Sequence, residues 1–165
     1  MMRRLGSIAR MAIAAGLLAG CSNGLLPSRD GGLGTFDGTW DGAAWRGSAY
    51  AVLQGDSLTV VGHRPDPKFF YDEYVQVRVR FDGPGTYSVP ESDGMLSKID
   101  GGDAGWMPYA GGTLLVTAYD AGSRTVSGYV TLRASSIAPA WQASGNFTAP
   151  VYARFADVPQ EPRGR

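Results

Sequence analysis

The sequence predicts an all-β domain, a single antiparallel meander of about 8–10 strands closed as a β-barrel or folded as a β-sandwich. Glycine is abundant, with 24 residues in 165. It recurs in short turns such as Asp41-Gly42 and Gly55-Asp56, where it supplies the positive φ of tight hairpins. Apolar residues alternate with polar ones between the turns. Beyond the N-terminal segment, a helical spacing is confined to one turn predicted near residues 91–99.

Strands follow the chain in order between these turns. AWRGSAYAVLQ and SLTVVGH flank Gly55-Asp56 and predict one hairpin, and GTLLVTAYD and RTVSGYVTLRA flank residues 120–123 and predict a second. In YVQVRVRF, every second residue is apolar and Gln76, Arg78 and Arg80 take the other face. Such alternation predicts one buried and one solvated face. The sheet protects its edges by closing as a lipocalin-like barrel or by folding as a sandwich.

Gly128 interrupts the alternation in TVSGYVTL, because it stands where a core side chain is expected, between Val126 and Val130. A glycine at an inward strand position marks a bulge, a bend, or a gap that a neighbouring aromatic ring fills. We therefore expect one of these three features at Gly128.

The N-terminal segment predicts export. The first ten residues carry Arg3, Arg4 and Arg10 and no acid, and the run MAIAAGLLAG that follows is small or apolar throughout. As a helix this run spans about 15 Å, half of the roughly 30 Å hydrocarbon core of a bilayer, so it is too short for a membrane span. A charged segment followed by a short apolar run is typical of a signal peptide. We assign residues 1–20 to a cleaved signal peptide.

The single cysteine, Cys21, follows this run directly. Residues 18–20, Leu-Ala-Gly, together with Cys21 resemble the lipobox of bacterial lipoproteins. The resemblance implies cleavage between Gly20 and Cys21, a diacylglyceryl group on the Cys21 sulfur, and an acyl chain such as palmitate on the new amino group. Two or more acyl chains, each contributing about 0.8 kcal/mol per buried methylene, hold a domain durably at a bilayer. The alternatives are a free thiol or half of an intermolecular disulfide, since one cysteine cannot form an internal one.

The residue after the cysteine bears on localisation. Ser22 stands where an aspartate would resemble an inner-membrane retention signal. Its presence favours the outer membrane of a Gram-negative bacterium. The partner expected here is therefore the membrane itself, contacted through the lipid on Cys21.

Composition divides the rest of the chain. Residues 21–33, rich in Gly, Ser, Asn and Pro, predict a lipidated flexible tether. Residues 34–155 suit one β-domain, and the polar, proline-rich residues 156–165 predict a disordered tail. Once residues 1–20 and their three arginines are removed, 12 basic residues stand against 15 acidic ones, a net charge of −3. This balance argues against a nucleic-acid partner.

The domain contains the pieces FDGTWDGAAWRGSAYAVLQGDSLTVVG, GTYSV, and GGTLLVTAYDAGSRTVSGYVTLRA followed by SGNFTAPV. Together these three pieces resemble a family of uncharacterised bacterial envelope lipoproteins. The family pattern is an opening Asp-Gly-x-x-Trp, then Gly-x-Tyr, then paired closing strands that each carry Gly-x-Phe/Tyr, and the closing pair departs here from a strict spacing. The matching positions are Asp41, Gly42, Trp45, Gly85, Tyr87, Gly128, Tyr129, Gly145 and Phe147. The resemblance implies a secreted barrel-like or sandwich domain and lends no activity and no catalytic residue.

The sequence predicts no catalytic residue, no metal site and no cofactor. His63 is the only histidine, so it cannot supply the two or three imidazoles of a usual zinc site. A serine nucleophile would need a strained turn, and no Gly-x-Ser-x-Gly element is present. We expect His63 at a surface strand end or turn, and a hydrolase is the minority alternative.

Most aromatic side chains are expected in the core, because they bury large areas. Two groups differ. KFFYDEY places Phe69 and Tyr71 on one face of an extended segment, and GWMPYAGG sets Trp106 and Tyr109 in a glycine-rich loop. These four residues are our candidates for ligand binding, either at a barrel mouth or on a surface platform where sugar rings stack.

These observations together predict a non-enzymatic cell-envelope lipoprotein whose β-domain binds a small apolar ligand, a glycan or an envelope protein. The alternative is a structural envelope protein without a small ligand. Arg78 and Arg80 are expected to be solvated charges rather than contacts for an acidic partner or lipid headgroups. If core side chains fill the interior of the sheet, a ligand would have to bind on the surface of the domain. A cavity of a few hundred Å³ would instead favour an internal binding pocket.

Overall fold

The computed structural model describes residues 32–65, 72–97, 108–135 and 140–160. Single turns of 3-10 helix cover Glu91–Asp93, within the segment where a helical turn is predicted, and Phe155–Asp157, after the last strand. Residues 156–160 are the described part of the predicted tail, and the second turn includes the first two of them. The strands are β1 Gly34–Trp40, β2 Ala43–Gln54, β3 Ser57–Pro65, β4 Asp72–Arg80, β5 Gly85–Val89, β6 Gly94–Ser97, β7 Gly111–Asp120, β8 Thr125–Ala134 and β9 Trp141–Tyr152.

The strands form one antiparallel sheet that curls into a nearly closed barrel, in the order β5-β7-β8-β9-β1-β2-β3-β4-β6. The first and last strands pair with each other, which joins the two halves of the sheet. Both predicted hairpins, β2–β3 and β7–β8, are present. The Asp41-Gly42 turn has φ angles of 49° and 80°, as a tight hairpin requires. The all-β prediction is confirmed, and of the two forms left open the sheet takes the barrel shape.

The strand order departs from a simple meander at one place. β4 pairs with β6 rather than with β5, and β5 pairs with β7. After β5, the turn Glu91–Asp93 leads the chain back beside the first half of β4. Backbone bonds from Leu96 N to Pro108 O, 3.2 Å, and from Ala110 N to Gly94 O, 2.9 Å, then connect β6 to the segment that leads into β7. Through these bonds the edge strand β6 reaches the other half of the sheet, where the barrel is nearly closed.

The alternation predicted for β4 is confirmed. Val75, Val77 and Val79 are buried in the barrel, whereas Arg78 and Arg80 are exposed on its outer face. Complete burial of a valine side chain contributes about 1.5–3 kcal/mol. The strand therefore stabilises one wall of the core and presents polar groups to the outside.

Gly128 has two of the three features expected there. The register between β7 and β8 shifts between Val116 and Ala118, which is a β-bulge beside Gly128. A Cβ at Gly128 would also lie 2.9 Å from the ring of Phe147 and would collide with the carbonyl oxygen of Leu115. The close approach of neighbouring atoms therefore requires glycine at this position.

Aromatic side chains pack among the aliphatic residues of the barrel core. The ring of Phe36 packs against Gly62 and Gly145, and a Cβ at Gly62 would lie 2.6 Å from that ring. The rings of Phe36 and Trp45 meet edge to face, with their centroids 5.0 Å apart. These residues belong to one buried cluster that extends across the sheet. The grooves described below are lined on β4 by residues that alternate with the core valines, so they lie on the outer face.

Candidate functional site

Tyr109 is the one candidate ligand residue that the structure describes. Phe69, Tyr71 and Trp106 lie outside the described residues, as do the lipobox residues 18–21. The Tyr109 side chain is 65% exposed, and its backbone forms an isolated bridge with Met95 of β6. This bridge places an exposed ring at the edge of the outer face of β4 and β6.

A groove of about 270 Å³ lies beside Tyr109 on the outer face of β3, β4 and β6. We call it the polar groove, because amide, hydroxyl and charged side chains dominate its lining. Its polar lining residues are Gln54, Ser57, Thr59, Gln76, Ser92, Arg78 and Asp93.

Strand register brings the floor of the polar groove together. Thr59 of β3 lies opposite Arg78 of β4, and Gln76 of β4 lies opposite Met95 of β6. Gln76 and Arg78 share a face because side chains two residues apart on a strand point the same way. Every second residue of β4 from Val75 onward is a valine that faces the core. Gln76 and Arg78 lie between these valines, so they face outward.

The charges in the polar groove cancel. Arg78 Nη2 lies 2.6 Å and Arg78 Nε 3.1 Å from the same Asp93 oxygen, Oδ1. Next to the groove, Arg80 Nε lies 2.8 Å from Asp56 Oδ2 in an exposed ion pair. Each arginine thus has an acidic neighbour within the chain, and the remaining polar side chains of the groove are neutral. A groove of this composition favours an uncharged ligand.

Two exposed rings border the polar groove. Tyr109 lies on one side, and Phe155, which is 48% exposed, approaches from the C-terminal 3-10 turn. Exposed rings beside amide and hydroxyl groups can contact the apolar face of a ligand while the polar groups bind its rim.

A second groove of about 240 Å³ lies on the outer face of β2, β3 and β4. We call it the tyrosine groove, after Tyr50 and Tyr74, which line it together with His63, Phe155 and residues 158–160. His63 lies opposite Tyr74 in the ladder, and their rings stack with centroids 5.1 Å apart and an interplanar angle of 27°. His63 is thus a half-buried residue near the end of a surface strand.

No protein-family model, curated protein or solved structure matches this chain. Across the described ranges, no helix is long and apolar enough to cross a membrane. Within the same ranges, no three histidine, cysteine, aspartate or glutamate side chains come together as metal ligands. Function therefore has to be argued from the chemistry of the grooves, and the resemblance to envelope lipoproteins stays a prediction.

A buried carboxylate, which the sequence reasoning missed, lies at the end of the barrel where β3 meets β4. Glu73 is 5% exposed. Its Oε2 accepts hydrogen bonds from Trp45 Nε1 at 2.8 Å and Arg64 Nε at 2.7 Å, and Arg64 Nη2 contacts the same oxygen. The indole of the adjacent Trp40 is buried, and its N–H has no partner among the described residues. Glu73 therefore serves to hold Trp45 and Arg64 in place rather than to offer chemistry to a ligand.

The polar groove contains residues that sequence reasoning singled out and residues that it passed over. Tyr109 and Arg78 were noted for their ring and their charge. Gln76 was placed on the polar face of its strand but not proposed as a site residue, and Gln54 was not named, although its outward position on an amphipathic strand was a usable signal. Phe155 stands at the last position of the predicted domain, and nothing local distinguishes it. Only the folded chain brings it across to β3 and β4.

Proposed function

We propose that the protein is a lipid-anchored cell-envelope protein that binds a neutral glycan in the polar groove without catalysing a reaction. The observation that carries this proposal is the pair of exposed rings, Tyr109 and Phe155, beside a groove whose charges cancel. A pyranose ring presents an apolar face and a rim of hydroxyl groups. The aromatic rings suit the face, and amide and hydroxyl side chains suit the rim as both donors and acceptors.

A small apolar ligand fits the polar groove less well than a glycan does. Burying the Gln54, Gln76 and Ser57 side chains under such a ligand would remove water from amide and hydroxyl groups without replacing their hydrogen bonds. Each unsatisfied group costs about 1–3 kcal/mol.

The lipid anchor rests on the sequence. Gly32, the first described residue, stands eleven positions after Cys21, and a fully extended chain of that length reaches about 36–40 Å. The carbonyl oxygen of Gly32 accepts a hydrogen bond from the Tyr152 hydroxyl at 3.3 Å, so the tether leaves the barrel beside the C-terminal end of β9. An anchored barrel would stay within that reach of the bilayer, where envelope glycans are available to it.

Cys21→Ala is expected to abolish acylation, because the variant lacks the sulfur that accepts the diacylglyceryl group. The protein should lose the added mass of the acyl chains and leave the membrane fraction. Intact-mass spectrometry of membrane and soluble fractions measures both effects. Ser22→Ala is the control, which keeps the cysteine and should keep the acyl chains. A Cys21→Ala protein that stays in the membrane fraction at unchanged mass would contradict the anchor.

Tyr109→Ala is expected to weaken glycan binding about tenfold, and Gln76→Ala about three- to tenfold, since each removes about 1 kcal/mol or slightly more of contact energy. The probes are six-unit β-1,4-linked oligomers of glucose and of N-acetylglucosamine. Titration calorimetry of the full lipidated protein in detergent gives Kd for each variant.

Tyr129→Ala is the matched control for Tyr109→Ala. Tyr129 is an exposed tyrosine on β8, and it lines neither groove. Its removal should leave Kd unchanged. An equal loss of affinity in both tyrosine variants would show that the polar groove is not the site. Failure of both oligomers to bind the unmodified protein would favour a structural envelope protein without a small ligand.

A further inference from the structure

Phe155 lines both the polar groove and the tyrosine groove. We infer that the two grooves are halves of one extended site, which takes a glycan chain of about four or more sugar units rather than a single sugar. This inference rests on the proposed function and names the ligand class for the same face of the barrel.

The β3–β4 ladder provides a continuous floor under both grooves. Three consecutive outward-facing rows, each two residues apart along the strands, cross from one groove into the other. Two such steps span about 13 Å, the length of roughly three linked sugars. The rows are Thr59–Arg78 in the polar groove, then Val61–Gln76, of which Gln76 also lines the polar groove, and His63–Tyr74 in the tyrosine groove.

The middle of this face is covered by the chain itself. Val61 faces outward, yet it is fully buried and lies outside the barrel core, as does Val52 on β2. Phe155 lines both grooves, which places its 3-10 turn between them on this face. Since about half of the Phe155 side chain is exposed, a glycan chain passing between the grooves would cross its ring, and Phe155 becomes the central stacking platform.

Both grooves combine aromatic rings with hydrogen-bonding side chains. The tyrosine groove offers the stacked rings of His63 and Tyr74 and the phenol of Tyr50. Its lining contains no carboxylate and no arginine or lysine among the described residues, while the polar groove has one neutralised ion pair. A repeating neutral polymer would therefore meet rings and hydrogen-bonding groups along its whole path. A single sugar would occupy only one half.

The test is a length series of the β-1,4 oligomer that binds more tightly, from one to six units, titrated calorimetrically against the full lipidated protein. Kd should fall at least tenfold between the two-unit and the four-unit oligomer and then level off. Phe155→Ala should remove most of this gain. His63→Ala should weaken binding of the six-unit oligomer about tenfold and that of the two-unit oligomer far less. Gln160→Ala, an exposed change at the far edge of the tyrosine groove, gives a second variant of that half if His63→Ala lowers the melting temperature.

The outcomes separate the two proposals. If the six-unit oligomer binds but Kd does not depend on length, or if both tyrosine-groove variants leave its affinity unchanged, the extended site is wrong and the polar groove alone binds the glycan. If no oligomer of any length binds, the glycan function fails together with the extended site.

Discussion

Gly128→Ala is expected to lower the free energy of unfolding by about 3 kcal/mol, a fall in Tm of roughly 10 °C. The added Cβ would collide with the carbonyl oxygen of Leu115 and lie 2.9 Å from the Phe147 ring. The collision with Leu115 involves backbone of β7, which pairs with β8 along its whole length. Relief therefore requires part of the ladder to separate, whereas a side chain could simply rotate away. Thermal unfolding followed by far-ultraviolet circular dichroism measures the loss.

Gly85→Ala is the matched control. Gly85 also lies in a strand, at the start of β5, but a Cβ there would meet no atom within 4 Å. Its φ lies outside the left-handed region, so alanine adds no backbone strain and restricts the unfolded chain. We expect no loss, and a gain of up to about 1 kcal/mol. Equal destabilisation in both variants would mean that close contact at Gly128 is not the cause.

The position of Gly128 could be predicted because a strand has a fixed period of two. The same period assigned the inward valines and outward arginines of β4 correctly, since each assignment depends only on neighbours in the sequence. The exchange of β5 and β6 in the sheet order could not be predicted in this way. It depends on which distant strand edge the chain meets after the turn Glu91–Asp93, and no local pattern encodes that meeting.

In the candidate site, too, residues with a local sequence signal could be predicted, whereas residues brought in by distant parts of the chain could not. Tyr109 was identified because an aromatic residue in a glycine-rich loop is poorly placed for the core. Phe155 was missed because its role depends on contact with β3 and β4, about 75–100 residues earlier in the chain. Glu73, in contrast, could have been predicted from the alternation along β4. It shares the inward phase of Val75 and Val77, and an acid at an inward position predicts a buried, partnered carboxylate.

Glu73→Ala is expected to destabilise the protein by about 3 kcal/mol. The change removes the acceptor of the Trp45 N–H at 2.8 Å and of Arg64 Nε at 2.7 Å. Arg64 is partly exposed and can turn to water, but Trp45 is buried, so its N–H is left unpaired. Loss of the buried carboxylate's volume adds a cavity at the end of the barrel. Chemical denaturation followed by tryptophan fluorescence measures the change.

Asp37→Ala is the control for the loss of an ion pair as such. Asp37 Oδ2 lies 3.1 Å from Arg46 Nε in an exposed pair, and such pairs contribute about 0.2–1 kcal/mol. A loss of similar size for Asp37→Ala and Glu73→Ala would show that burial of Glu73 does not matter. Glu73→Gln should cause a loss of stability between those of Asp37→Ala and Glu73→Ala. Its amide oxygen can still accept the Trp45 N–H, so we expect a loss of about 1–2 kcal/mol from the weaker bond and the missing charge.

Trp45→Phe identifies which partner makes Glu73 necessary. Alone, it removes the N–H donor and part of a buried ring while leaving Glu73 its bonds to Arg64. Combined with Glu73→Ala, it should cost less than the sum of the two single changes, because no unpaired N–H remains. We expect a coupling energy of about 1–2 kcal/mol in this cycle. Full additivity would assign the effect of Glu73→Ala to the cavity and to Arg64, and would mean that the hydrogen bond from Trp45 Nε1 to Glu73 contributes nothing to stability.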